Sequence, residues 1–470
     1  MKILLLSMPD VTPASADSML LPSLGIASIA GNIDRDEHFV KIADTVLERQ
    51  NYDAFLHNIL NQESWDLVGL SGLTCSLQTA LKTAQIIRQI QPDTIVVFGG
   101  YMTLCHVAEL SRPTNASRID FLVQGEGEKV FPELLRELSN GGHFSKLAGL
   151  SYKKNDVFIH NPVGELLNLD SLKLPARDAR ILNQGFHLWG IPADIVETSR
   201  GCTFDCAFCC VTQQYRRTYR EYSLDRVLTD IEQAYAQGTR FIVLVDDNIT
   251  LDLKRLDALC EAFISAKFRG LRFFAQAAVK PIAQNPDLVK KMRQAGFDLL
   301  FLGLENLIDR NLKFLNKKTS NYEYARQAVQ NLRKNKIISS AGIIMGNPED
   351  RAKDLWDNFN LVRELEIDLP NFMTLTPFPR TRIREELAKR NLITNPNDFP
   401  KYDLIQANVK TEYLSAEELQ QLVKFFFKKY YVSWKVLFKN LMLRKYSGYA
   451  IKYGMGEFVN WIQKKIKFQK

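Results

Sequence analysis

The chain has 470 residues, 46% hydrophobic and 24% charged, a globular balance that excludes a largely disordered protein. At roughly 150 residues per domain it has room for about three domains, and no apolar run reaches the ~18–20 residues of a membrane-spanning helix. The net charge of +8 is uneven: 422–470 holds twelve Lys/Arg against Glu457 alone, or +11, leaving −3 on the rest, an asymmetry that bears on partners rather than fold.

The opening MKILLLSMPD is interrupted by Pro9 and Asp10, as suits a first strand rather than a secretory signal. Apolar runs at 3–6, 40–43, 67–70, 95–98 and 121–123 alternate with helical patterns such as 77–90. This predicts a doubly wound, Rossmann-like α/β domain over 1–145. Small residues follow several strands, at Ser71-Gly72, Gly99-Gly100 and Gly125-Glu126-Gly127. In open α/β sheets ligands sit beyond such strand ends, although a tight turn is the plainer reading of any single pair. A linker over 146–190 contains a hairpin at 150–152 and 157–159. Six more strands are predicted over 191–385, at 195–198, 241–245, 272–276, 299–304, 337–345 and 371–375. Helical patterns at 224–236, 287–295 and 322–334 lie between them, giving a central (β/α)6 partial barrel.

The remainder, 386–470, reads as a basic helical extension opening on the capping box Ser415-Ala416-Glu417-Glu418. On a helix Lys424, Lys428, Lys435 and Lys439 share one side, opposite Leu419, Phe426, Tyr430, Leu437 and Leu441.

Seven cysteines are too few and too clustered for a disulfide framework, and four of them fall between Cys202 and Cys210. That favours a reducing compartment and a metal site. The segment Cys202-Thr203-Phe204-Asp205-Cys206-Ala207-Phe208-Cys209-Cys210 offers three thiolates spaced C-x3-C-x2-C on one short loop. Three ligands on a four-iron cluster leave one iron open to a small chelating molecule. Zinc bound by these cysteines with Cys210 is the alternative, but adjacent Cys209 and Cys210 cannot easily both face one small ion. Cys75, Cys105 and Cys260 stand alone and read as packing residues.

This segment resembles the signature of the radical S-adenosylmethionine (radical SAM) superfamily, C-x3-C-x-aromatic-C, with Phe208 as the aromatic. The resemblance continues with Gly303-Leu304-Glu305 at strand four and Gly342-Ile343-Ile344-Met345-Gly346-Asn347-Pro348-Glu349 at strand five. It implies a [4Fe-4S] cluster on Cys202, Cys206 and Cys209. It also implies SAM contacts from Phe208, Asp246, Gly303, Glu305, Gly342, Ile344, Gly346 and Glu349. The family's Gly-Gly-Glu after strand two is absent and Asp246-Asp247-Asn248 stands there, as in the subgroup with a cobalamin-binding domain. A plain helix cap is the competing reading of the acidic pair.

The first domain resembles that cobalamin-binding domain. The likeness implies cobalamin contacts from Ser71, Gly72, Leu73, Gly99, Gly100, Gly125, Glu126 and Gly127. The D-x-H-x-x-G motif that supplies a cobalt ligand elsewhere is missing, and no histidine precedes His38. Binding without histidine coordination is therefore expected.

Together the resemblances imply a cobalamin-dependent radical SAM C-methyltransferase working through a 5′-deoxyadenosyl radical. The +11 tail, with its lysine stripe opposite Phe426, Tyr430 and Leu437, leads us to expect a hydrophobic substrate, isoprenoid or tetrapyrrole, taken from a membrane surface. The enzyme alternative is an oxidoreductase or cyclase resembling the anaerobic magnesium-protoporphyrin ester cyclase. A non-catalytic iron–sulfur or cobalamin-binding regulator is the reading from another class. A flavodoxin- or ferredoxin-type donor is expected, in the cytoplasm. The tail suggests peripheral contact of 422–470 with the inner face of a membrane, against the bland alternative of a helix packed on the barrel. Its aromatics mix with aliphatics rather than forming base-stacking positions in a basic groove, which disfavours nucleic acid.

Overall fold

The computed structural model describes residues 1–10 and 18–431. It is a mixed α/β molecule built on two sheets. In the first, five parallel strands are Lys2–Ser7, Phe39–Asp44, Leu67–Ser71, Ile95–Gly99 and Phe121–Val123. Taken in chain order their spatial order is 2-1-3-4-5, and the hairpin strands Leu150–Lys154 and Val157–His160 extend the sheet antiparallel. Period-2 alternation sorts the first strand's side chains. Leu4 and Leu6 meet the helices Tyr52–Gln62, Leu77–Ile90 and Gly100–Leu110 on one face. Ile3 and Leu5 meet Leu24–Asn32 and Gly127–Ser139 on the other. Sheet order reverses between the first and third strands, so the ends at Ser7 and Ser71 open on a switch-point crevice.

The second sheet is a curled partial barrel of six parallel strands: Ile191–Val196, Phe241–Leu244, Arg272–Ala277, Phe297–Glu305, Ile338–Met345 and Leu369–Thr374. Beyond Ile191–Val196 the short strands His187–Leu188 and Met19–Leu20 continue it antiparallel, so a segment from the N-terminal region joins the barrel sheet.

The first barrel strand spans Ile191–Val196, not 195–198. Asp194 is tolerated inside it because Arg180 donates twice to its carboxylate, at 2.8 and 3.1 Å, and Arg177 Nε donates at 3.0 Å. Thr198 leaves the ladder because its N–H is taken by the Asp246 carboxylate at 2.8 Å.

The helix Ala416–Tyr431 forms behind the predicted capping box: Ser415 N–H donates to Glu418, and Glu418 N–H donates to the Ser415 hydroxyl. Its apolar side is spent on the barrel. Leu419, Val423, Phe426 and Tyr430 are buried, Phe426 stacks on Phe359 at 4.7 Å, and Tyr431 donates to the Pro370 carbonyl. This part of the extension packs on the barrel instead of offering that face to a membrane. Lys435, Leu437, Lys439 and Leu441 lie outside the described residues. No helix among the described residues is long and apolar enough to cross a membrane.

Candidate active site

The cysteines ride on an excursion, 201–219, that starts just after the first barrel strand. Its neck is the antiparallel pair Ser199–Arg200 and Arg220–Glu221. Gly201 turns the chain at φ +92°, where a Cβ would lie 2.3 Å from the Thr218 carbonyl oxygen, so no other residue fits. Asp247 accepts the Gly201 N–H at 2.9 Å, and Ala207 N–H donates to the Leu315 carbonyl at 2.9 Å. Cys202, Cys206 and Cys209 are half-buried free thiols. Burial raises all three, Cys209 to about 12. They therefore need a strong positive partner to stand as thiolates.

Among the described residues no three His, Cys, Asp or Glu side chains stand grouped as for one metal ion, and a four-thiolate zinc site would need Cys210, which pairs elsewhere. Three soft donors on one loop suit a multi-atom iron–sulfur cluster. Cys210 turns away to pair with the Cys105 thiol of the first sheet's helical layer. Cys260 is buried in the barrel core.

Of the residues expected around SAM, Phe208 packs partly buried against the barrel core. Glu305 ends strand four with φ +63° and accepts from Lys317 at 2.9 Å. A Cβ on Gly303 would lie 2.8 Å from that ammonium nitrogen. Lys317 also acts electrostatically on Cys206 and Cys209. Sequence spacing carries no hint of it. Ile344 and Gly342 lie on strand five, where a Cβ on Gly342 would press on the Phe301 ring at 3.0 Å.

Three of the expected residues are otherwise engaged. Asp246 is fully buried and accepts from Thr198 and Ser199, so it ties strand ends together instead of facing a ligand. Gly346 lies under Leu419 of the C-terminal helix. Glu349 is exposed near Arg310 and Arg390. Asp247, with its carboxyl pushed up to about 6 by burial, is the acid nearer the thiols.

At the first sheet's strand ends, Gly72 and Gly100 are required by packing: a Cβ would crowd Met8 and Ser76 at the first and Ser71 at the second. Gly99 opens on free space, and Leu73, in the loop after the third strand, is 54% exposed. Such a crevice, with small residues and one exposed apolar side chain, fits a large planar cofactor held without a side-chain ligand. His106, on the helix after Gly100, is buried with its ring 4.2 Å from Phe399. Burial pushes it down to about 4. Gly125 and Gly127 pack against Val163 and Ile29, and Glu126 is committed to Arg200 and Arg220. Asp10, which no motif marks, is half-buried at the same end and accepts from Thr79 at 3.0 Å.

The two strand-end systems meet. Gln214 of the excursion donates to the Gly125 carbonyl at 3.1 Å, and Tyr101, half-buried directly after Gly100, lies within electrostatic reach of Tyr215, Asp247 and Cys209.

Known proteins bear on this arrangement. A family model described as the radical SAM superfamily matches residues 196–362, and one described as a B12 binding domain matches 18–135. The chain is a radical SAM enzyme with a B12 binding domain. An uncharacterized methyltransferase of Pyrococcus horikoshii is 29% identical to it, over 92% of each chain. The anaerobic magnesium-protoporphyrin IX monomethyl ester cyclase of Rubrivivax gelatinosus is 26% identical, over 78% of this chain and 66% of the cyclase. The structure of a radical S-adenosylmethionine methyltransferase from Kitasatospora setae superposes with TM-score 0.69 at 17% identity, covering 83% of this chain and 76% of the other, which establishes the shared fold. The cofactors of this radical SAM enzyme are a [4Fe-4S] cluster, SAM and cobalamin.

Proposed function

We infer that this radical SAM enzyme methylates an unactivated carbon of a hydrophobic substrate. The observation that carries the reading is the junction of the cysteine excursion with the first sheet's strand-end loops, where Gln214 donates to the Gly125 carbonyl at 3.1 Å and Arg220, at the neck, donates to Glu126 at 2.7 and 3.0 Å. When bound, the three cofactors supply reductive cleavage of SAM, hydrogen abstraction and a methyl donor; the protein supplies position and exclusion of water. Cys202, Cys206 and Cys209 would hold the cluster, with Lys317 as the buried cation beside two of them. Gly303, Glu305, Gly342 and Ile344 would form the SAM side. Ser71, Leu73 and Gly99 would receive cobalamin, with Leu73 covering rather than ligating it.

A methyltransferase and a tetrapyrrole ester cyclase among the relatives support methyl transfer and an extended apolar substrate. A reductant of flavodoxin or ferredoxin type is supported by the arginines beside Cys206 and Cys209, Arg216, Arg217 and Arg382, which outnumber the one carboxylate among them, Asp205, and suit an acidic protein surface.

The test is anaerobic incubation of the reconstituted enzyme with methyl-labelled SAM, a reductant and a lipid or tetrapyrrole extract. Label in an extracted product, with 5′-deoxyadenosine released, is expected. Release of 5′-deoxyadenosine without labelled product would favour the cyclase type of reaction, and neither would reject catalysis of this class.

A further inference from the structure

The cysteine excursion leaves the barrel and returns to it through two arginines that close on one carboxylate of the other sheet. Arg200 Nη1 and Arg220 Nη2 donate to Glu126 Oε1 at 3.0 and 2.7 Å. Arg220 Nη1 donates to Oε2 at 3.0 Å, and the Leu167 N–H donates to the same oxygen at 2.7 Å. Arg200 uses its other donors on Glu128, at 2.6 Å, and on Glu197, at 2.7 Å. Farther along the excursion, Gln214 donates to the Gly125 carbonyl at 3.1 Å. Glu126, Glu128 and Arg200 are all buried, so removing one charge leaves another without compensation. Glu126 sits in the loop after Phe121–Val123, on the same carboxyl edge as Ser71 and Gly99.

We propose that Glu126 couples the two cofactor sites, so that cluster assembly on the excursion and cobalamin binding at the first sheet's strand ends favour each other. This rests on the cofactor positions given under the proposed function. A cluster would cross-link the excursion at three points and fix its neck. A fixed neck fixes Arg200 and Arg220, and these hold the Gly125-Glu126-Gly127 loop in one conformation. Cobalamin then meets a crevice whose rim is already ordered and binds with less loss of chain entropy. Linkage makes the effect reciprocal. Glu126 is on this account a positioning residue: its oxygens are committed to the clamp and leave none for the cofactor.

Equilibrium titration with hydroxocobalamin of the apoprotein and of the anaerobically cluster-reconstituted protein tests the coupling. Reconstituted wild type should bind about fivefold more tightly or better than apoprotein. In Glu126→Gln, nearly isosteric but uncharged, the two affinities should agree within about twofold. Arg220→Gln, which removes one arm of the clamp, should lower the ratio, and Arg220→Lys should recover part of it. The coupling is overturned if wild type shows equal affinities, or if Glu126→Gln keeps the wild-type ratio. If Glu126→Gln does not fold, an unchanged ratio in Arg220→Gln overturns it equally. Absence of cobalamin uptake by either wild-type form is a different outcome, which rejects the cobalamin positions themselves.

Discussion

Lys317 Nζ donates to Glu305 Oε1 at 2.9 Å, with both side chains nearly excluded from water and the Glu305 backbone left-handed at φ +63°. A left-handed glutamate at a strand end is strained by roughly 1–3 kcal/mol and persists only when its surroundings hold it. Burial disfavours the Lys317 charge, but the Glu305 carboxylate at hydrogen-bond distance outweighs it, and the ammonium stays protonated.

Lys317→Met should therefore make cluster reduction harder. It removes a buried positive charge beside Cys206 and leaves Glu305 without its cation, and both effects oppose an added electron. A midpoint potential lower by about 50–100 mV is expected in a redox titration followed by electron paramagnetic resonance without SAM. An unchanged potential would place Lys317 outside the cluster's field.

Replacing Cys202, Cys206 and Cys209 together by alanine should abolish iron binding and the brown absorbance of the anaerobically reconstituted protein. Cys210→Ala should keep both, because its thiol is turned to Cys105. Iron and sulfide analysis of the two variants separates the assignments, and a full four-iron signal in the triple variant would sink the first.

Cobalamin bound at the first sheet should lack a nitrogen ligand. His106 is held against Phe399, so the cob(II)alamin spectrum should show no nitrogen superhyperfine splitting and should be unchanged in His106→Ala. Splitting that disappears in that variant would contradict this.

Asp44 accepts from Ser23 N–H at 2.6 Å and from the Ser7 hydroxyl, and burial pushes its carboxyl up to about 6 from 3.8. The folded state thus holds this proton more tightly than the unfolded chain, and the benefit is lost as pH rises from about 4 through 6. The stability of wild type relative to Asp44→Asn should fall by about 2 kcal/mol between pH 4.5 and 7.5 in denaturant titrations of the apoproteins. A constant or rising difference would show that Arg180 keeps Asp44 ionised throughout.

Residues 432–470 carry nine Lys/Arg against Glu457 alone. If they engage an anionic surface, deleting them should abolish sedimentation with anionic vesicles at low salt, and wild-type binding should weaken as salt shortens screening to ~8–10 Å. The cut spares the packed helix Ala416–Tyr431, so iron loading should survive. Equal sedimentation of the truncated and full chains would dismiss the contact.

The cysteine spacing, the alternation that sends Leu4 and Leu6 to one layer and Ile3 and Leu5 to the other, and the Ser415–Glu418 box were all legible in the sequence. Each depends on residues a few positions apart, whose relation the local backbone already imposes. The partners of charged side chains were not. Glu126 meets Arg200 and Arg220, Asp194 meets Arg177 and Arg180, and Asp246 is consumed by Thr198 and Ser199. The C-terminal helix that looked open to a membrane finds Phe359 and Pro370 instead. A buried charge or apolar stripe needs some partner, and composition expresses that need. Which partner answers depends on how the sheets and their connections pack, and only the tertiary structure decides it.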